Sequence, residues 1–294
     1  MDTDTLRIYD TSLRDGLRNS GIAIDLDDKI RFLQQLERLG VSDIEVGFGG
    51  PSQVETMTRL ADTVTRPVLY GLSRVNRRDV DRVLESLAAA RHPGANIFSP
   101  VSDAFLKHAG KSAERALQET VRAVEHARAR VEHVMFSAQD APRADRAFLI
   151  EISQAAIEAG ATGISIADTT SQAMPDAFGD FIGRLRAGVA GADGVLWSVH
   201  CHNDLGLAVA NCAAAIARGA RQVECTVSGI GERNGNTPMQ AMVRLLNKRQ
   251  DAFPGLACTV DAGDFAATEA LLADIAKPAE DAGSGVVELL RRHG

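Results

Sequence analysis

Two histidines two residues apart, His200 and His202, close a short apolar run in Val199-His200-Cys201-His202-Asn203-Asp204. Alternate residues of a β-strand point to one face, so both imidazoles stand on the same wall. Neutral imidazoles side by side supply half of a divalent metal site, and oxygen ligands from elsewhere must supply the rest. Without such partners the pair reads equally well as two ordinary histidines at a strand end.

Any partners must come from elements formed by the rest of the chain. Its 294 residues are 45% hydrophobic and 24% charged, as in a globular protein with a sizeable core. The net charge is −7 and the 32 lysines and arginines are scattered, which argues against a nucleic-acid surface. No apolar stretch is long enough to span a bilayer, and the opening Met1-Asp2-Thr3-Asp4 is acidic rather than signal-like. Cys201, Cys212, Cys225 and Cys258 lack CxxC spacing and fit buried thiols in a reducing compartment. The expectation is a soluble cytoplasmic protein that meets neither membrane nor nucleic acid.

Short β-rich runs alternate with longer amphipathic ones. Strands are expected at 6–10, 43–48, 67–72, 95–99, 132–137, 163–167, 195–200 and 222–227. Helices are expected at 25–39, from 52, at 76–90, at 112–129, after the fifth and sixth strands, and from about 204 and 236. Eight such alternations predict an α/β fold whose parallel sheet closes as a (β/α)8 barrel. A doubly wound open sheet would call for a GxGxxG turn after its first strand, and none is present. Residues 1–256 form the barrel domain on this reading. Residues 257–294 form a short C-terminal helical appendage, with helices at 266–275 and 286–292 around a Lys277-Pro278 break.

Chemistry in such barrels sits at the carboxyl ends of the strands. The first strand ends in Asp10-Thr11-Ser12-Leu13-Arg14-Asp15-Gly16, and the second holds Glu45. The fourth leads to Ser99, Ser102 and Asp103, the fifth to Ser137, Gln139, Asp140 and Arg143, and the sixth to Asp168, Thr169 and Thr170. The eighth runs into Ser228-Gly229-Ile230-Gly231-Glu232-Arg233-Asn234-Gly235-Asn236. A purely structural barrel has no need to gather acids, amides, hydroxyls and imidazoles at one rim. Plainer uses stand beside each: Asp15-Gly16 as a turn, Arg14 in a rim salt bridge, Asn236, Thr169 and Thr170 as helix caps, Cys201 and Cys225 as small buried residues. Glu45 lies in an apolar strand, where an unpaired acid is costly, so it pairs with Arg14 or serves the site.

Three of these segments, around Arg14-Asp15-Gly16, His200-Cys201-His202 and Gly231-Glu232-Arg233, resemble in sequence and order the DRE-TIM metallolyase superfamily. That group includes the isopropylmalate, homocitrate and citramalate synthases and hydroxymethylglutaryl-CoA lyase, and the resemblance covers residues 6–250. It implies a TIM barrel, a divalent metal (Mg, Mn or Zn), an acyl-CoA co-substrate and a 2-oxo acid, with a homodimer as the expected assembly. Asp15, His200 and His202 resemble the metal ligands, with Asn236 beside or within the set. Arg14 resembles the catalytic arginine that holds the developing enolate oxygen, and Glu45 the acid that orients it and a metal-bound water. Thr169 resembles a hydroxyl that holds the substrate carboxylate; Ser137 and Arg143 join Arg14 and Thr169 as expected substrate contacts. Phe48 and Phe98 are expected to shape the acceptor's side-chain pocket, and the glycines from Gly229 to Gly235 to let backbone approach a phosphate or pantetheine arm.

The GxGERxGN form of the last segment, which has no cysteine, resembles the synthase branch; the lyase branch carries a catalytic cysteine in this loop. The implied activity is an acyltransferase: Claisen-type condensation of acetyl-CoA with a 2-oxo acid. Leu17 is closer to the lyase form, so carbon–carbon cleavage by a lyase or aldolase is the alternative, and a non-catalytic barrel subunit a third reading. Where the synthases often read SxEDA, this chain has Ser137-Ala138-Gln139-Asp140-Ala141, and Gln139 cannot take a proton. Full-length synthases continue into subdomains that deliver a histidine and a tyrosine to the neighbouring subunit, and often bind leucine. This sequence runs to Gly294, so no leucine domain is expected and Glu232 or His108 is the candidate base.

Overall fold

The computed structural model describes residues 5–279. Eight strands line the inside: β1 (Thr5–Asp10), β2 (Asp43–Phe48), β3 (Val68–Arg74), β4 (Pro93–Pro100), β5 (His133–Gln139), β6 (Gly163–Asp168), β7 (Leu196–Cys201) and β8 (Gln222–Cys225). Each pairs in parallel with the next. β8 returns to β1 with Ile8 opposite Val223 and Asp10 opposite Cys225, which closes the predicted (β/α)8 TIM barrel. Around it lie α1 (Leu26–Leu39), α2 (Val54–Leu60), α3 (Arg77–Ser86), α4 (Asp103–His108), α5 (Ala113–Arg128), α6 (Arg146–Glu158), α7 (Pro175–Gly188), α8 (Ala208–Ala217), α9 (Met239–Lys248) and α10 (Phe265–Ile275).

Both faces of each strand are covered, as a parallel sheet requires. Outward residues such as Ile8, Ile44, Ile97, Phe136, Ile164 and Val199 pack with the helices in one large core. α1 supplies Phe32, Leu33, Leu36 and Leu39 to it at helical spacing. Inward, Tyr9, Val68, Tyr70 and Met135 form a separate plug within the cylinder. Towards the carboxyl ends the inward positions turn polar, with Asn96, Ser137, Ser165, His200 and Glu224. The plug therefore gives that chemistry a dry floor.

The structure departs from the sequence expectation at four loops. A single π-helical turn, Ser12–Gly16, follows β1. The six-residue α4, capped by Ser102, follows β4, and is too short for periodicity to reveal. The helices expected from about 204 and 236 begin at Ala208 and Met239, because the polar residues before them are spent on loops; Asn203 Oδ1 accepts from Ala208 N at 3.2 Å. Beyond α9, Ala257–Cys258 lies parallel to Thr5–Leu6, and α10 packs on α1 with Gln35 Nε2 donating to Thr268 Oγ1 at 3.0 Å. The Lys277-Pro278 break is a two-residue edge strand, antiparallel to Ile22–Ala23, a position that tolerates proline. The helix expected at 286–292 lies outside the described residues. Among those residues no helix is long and apolar enough to cross a membrane.

Candidate active site

The turn after β1 sets two charged side chains at the barrel mouth. Gly16 N donates to Thr11 O at 3.0 Å, the five-residue closure of a π-turn, a local form often found at functional sites. Thr11 Oγ1 accepts weakly from Asp15 N at 3.4 Å and donates to Glu45 Oε2 at 2.8 Å. A Cβ on Gly16 would stand 2.9 Å from Ile230 Cγ1, so any other residue there would have to push the Ile230 side chain of the loop after β8 aside. Arg14 and Asp15 are thereby presented side by side, and they pair with each other.

Asp15 meets both histidines. Its Oδ2 lies 3.6 Å from His200 Nε2 and 3.9 Å from His202 Nε2, and the two Nε2 atoms are 3.4 Å apart. A triangle of those sides has its centre roughly 2.1 Å from each corner, the length of a bond from a divalent ion to imidazole nitrogen or carboxylate oxygen. All three residues are buried. His200 Nδ1 is 2.9 Å from Glu224 Oε2, which turns its Nε2 toward Asp15. Asn236 is buried beside them: it forms an isolated bridge with His202, and its Nδ2 donates to Ile230 O at 3.1 Å. Asp15 Oδ2 and Asn236 Oδ1 are buried oxygens without a hydrogen-bond partner, an arrangement costly unless a cation faces them.

The protonation of Asp15 and His202 fits the same use. Burial alone would raise the Asp15 pKa, but Arg14 and the two histidines outweigh it and hold the carboxyl well below its ordinary range. Burial, then repulsion from His200, pushes His202 down to about 4, so it presents a neutral lone pair at pH 7. Burial also disfavours charge on His200, yet its bond to Glu224 and the nearby Asp15 carry its pKa above the ordinary value. The donor set of two imidazoles, one carboxylate and an amide oxygen suits Mg, Mn or Zn.

Glu45 is fully buried and makes four hydrogen bonds. Oε1 accepts from Tyr9 OH and Asn96 Nδ2, both at 3.0 Å; Oε2 accepts from Thr11 and from Arg14 Nε. It acts on Arg14 by holding the guanidinium in place and does not line the cavity above. That cavity, about 570 Å³, is lined by Arg14, Asp15, both histidines, Ser137, Thr169 and Glu232 among others. A second cavity of about 550 Å³ shares Arg14, Leu72 and Phe98 with it and adds Phe48 and Leu17.

The remaining expected contacts are distributed unevenly. Thr169 Oγ1 accepts from Asp140 N at 3.0 Å, which leaves its own hydrogen for a ligand. Arg143 is turned to Asp140, with contacts of 2.6–3.0 Å, and lies outside both cavities. Glu232 stands at the mouth, accepting from Asn19 Nδ2 at 3.2 Å and Arg233 Nη1 at 2.9 Å. His108 is exposed at the end of α4 and lines neither cavity. In the glycine-rich loop the close approach is to its own chain: a Cβ on Gly235 would stand 1.9 Å from Gly229 O, at φ +84°. Those glycines fold the loop tightly around Asn236.

Among the residues of the site not singled out from sequence, Glu224 and Asn96 bear most directly on its polar groups. Alternation in Gln222-Val223-Glu224-Cys225-Thr226 puts the polar residues on the inner face, a signal that could have found Glu224. Asn96 has no such mark, because its partners Glu45 and Ser137 come from other strands.

The HMGL-like family profile matches residues 5–272. The chain is 45% identical over 258 residues to the 2-isopropylmalate synthase of Syntrophus aciditrophicus, covering 86% of this chain and 50% of that protein. It is 42% identical over 254 residues to the 2-isopropylmalate synthase of Methylococcus capsulatus, covering 85% and 49%. It thus spans about half the length of the curated relatives it matches. Hydroxymethylglutaryl-CoA lyase from Pseudomonas aeruginosa superposes with a TM-score of 0.78 over 99% of both chains at 20% identity, a likeness of fold. With the profile running from β1 into α10, the chain belongs to the HMGL-like family.

Proposed function

We propose that this site condenses an acyl-CoA, acetyl-CoA in the first instance, with a 2-oxo acid in a Claisen-type reaction, as an acyltransferase similar to the 2-isopropylmalate synthases. The observation that carries this reading is the convergence of Asp15, His200 and His202 with Arg14 on one cavity of small-molecule size. A divalent cation held by Asp15, His200, His202 and Asn236 would polarise the ketone as a Lewis acid.

The chain's own groups account for the rest. Arg14, fixed through Nε by Glu45 and through Nη1 by Asp15, keeps Nη2 for the ketone oxygen as negative charge grows there. Because Glu45 and Asp15 hold the guanidinium before the reaction, little reorganisation is needed at the barrier. Thr169 donates its free hydrogen to the acceptor's carboxylate. Glu232 at the mouth is the carboxylate placed to take the proton from the acyl methyl. The carbon so formed attacks the ketone carbon, the new alkoxide is protonated, and water cleaves the thioester to release CoA.

The test is free thiol released from acetyl-CoA by a panel of 2-oxo acids with Mn²⁺ present. Release with at least one acid is expected, and Glu232→Gln is expected to lower it by about 10²-fold or more, the usual weight of a general base. A panel that never releases CoA overturns the reading. Cleavage of a hydroxy-diacid or its CoA ester without condensation assigns the site to lyase chemistry instead.

A further inference from the structure

On one wall of the cavity, two polar groups have spent their hydrogens before any ligand arrives. Glu45 accepts at both oxygens, so the neighbouring Asn96 amide must turn its NH₂ toward it. Asn96 Nδ2 donates to Glu45 Oε1 at 3.0 Å and to the Tyr9 hydroxyl oxygen at 3.2 Å, while Tyr9 donates its own hydrogen to Glu45. The amide oxygen then faces Ser137, whose hydroxyl donates to it at 2.6 Å. Neither residue keeps a hydrogen for a ligand, yet both line the cavity. Ser165, opposite Ser137 in register, repeats the pattern by turning its hydroxyl to Glu224.

What this wall offers a ligand is lone pairs, set beside apolar surface from Leu72, Phe98 and Phe105. Phe98 lies opposite Ser137 on β4. Hydrogen donors on the rest of the lining include the Arg14 guanidinium on the turn after β1 and Thr169 beyond β6, with Arg18, Arg233 and, at the end of β5, the Gln139 amide. A carboxylate belongs with those donors. An alkyl group against the lone pairs would leave them unpaired, and a second carboxylate would set lone pairs against lone pairs.

We propose that Asn96 and Ser137 form the subsite for the side chain of the 2-oxo acid, and that it selects acceptors bearing a neutral hydrogen-bond donor, a hydroxyl above all, over isosteric alkyl acceptors. The proposal rests on the condensation reading and narrows its substrate class. Sites built to pair with a substrate hydroxyl discriminate strongly against analogues that lack it. Asn96 is the positioning residue, since its amide fixes which way the Ser137 hydroxyl points.

Two pairs of acids test this: 3-hydroxypyruvate with 2-oxobutanoate, and 4-hydroxy-2-oxobutanoate with 2-oxopentanoate. Each pair exchanges a hydroxyl for a methyl, at two reaches from the ketone. Calorimetric titration into the full chain with Mn²⁺ reads the ratio of dissociation constants within each pair. A preference of about 10-fold for the hydroxyl acid is expected in at least one pair, the worth of one well-made hydrogen bond. It is expected to fall to about twofold or less in Ser137→Ala and to be largely restored in Ser137→Thr, which keeps the hydroxyl. Equal affinities within both pairs, or a preference that survives in Ser137→Ala, overturn the subsite while CoA release still supports condensation. Binding of none of the four acids, with no CoA release, removes both.

Discussion

Asp10 and Asp15 lie five residues apart and are both buried, yet their surroundings push them in opposite directions. Asp15 has Arg14 and two imidazoles against it. Asp10 has no ion pair among the described residues; it accepts from Ser12 N at 3.0 Å and Ser12 Oγ at 2.7 Å, and Ser12 Oγ accepts from Val227 N at 2.8 Å. Burial pushes its pKa up to about 7, against the two bonds from Ser12. A carboxyl whose folded pKa exceeds its unfolded value binds more protons when folded, so its contribution to stability falls as pH rises from about 4 to about 7. Asp10→Asn cannot ionise and is expected to be more stable than the parent at pH 8, with the advantage shrinking toward pH 4.5. Urea unfolding at both pH values checks this; parallel pH profiles for the two proteins would refute it.

The loop after β8 shows how an element built for shape serves a site. Gly235 holds φ +84°, and its backbone packs against Gly229 O so closely that no side chain fits between them. Asn236 follows directly, with its amide oxygen free. Gly235→Ala is expected to cost about 1–3 kcal/mol or more, from strain in the left-handed region together with the clash. It should also weaken Mn²⁺ binding, because Asn236 must shift with the loop. A parent-like urea midpoint and Mn²⁺ affinity would show that the loop is looser than the geometry requires. Strands and long helices were legible in the chain because their apolar spacing is periodic. The π-turn carrying Arg14 and Asp15, the six-residue α4 and the true helix starts were not, because local hydrogen bonds to side chains decide them and leave no period behind. Arg143 illustrates the same limit: its place at a strand end suggested a substrate contact, and only coordinates show it turned to Asp140.

Closure of the barrel brings together residues far apart in sequence: Asp15 from the first turn, His200 from the end of β7 with His202 just beyond it, and Asn236 from the loop after β8. A ligand that binds this assembled set, and not the unfolded chain, must stabilise the whole fold. Mn²⁺ at 100 times its dissociation constant is expected to add about 2.7 kcal/mol, read as a rise in melting temperature that EDTA reverses. His202→Ala should fold and lose that rise; a chelator-insensitive melting temperature in the parent would count against any metal at this site. The strand–helix rhythm already implied the barrel, and strand alternation the shared face of His200 and His202, because both act on sequence position alone; that Asp15 joins them was implied only by the resemblance of the motifs to the DRE-TIM metallolyase superfamily. Which way each hydrogen points was settled only by the closed cylinder. Glu45, Asn96 and Ser137 come from three different strands, and their donors and acceptors become mutually constrained only when the strands close around one interior.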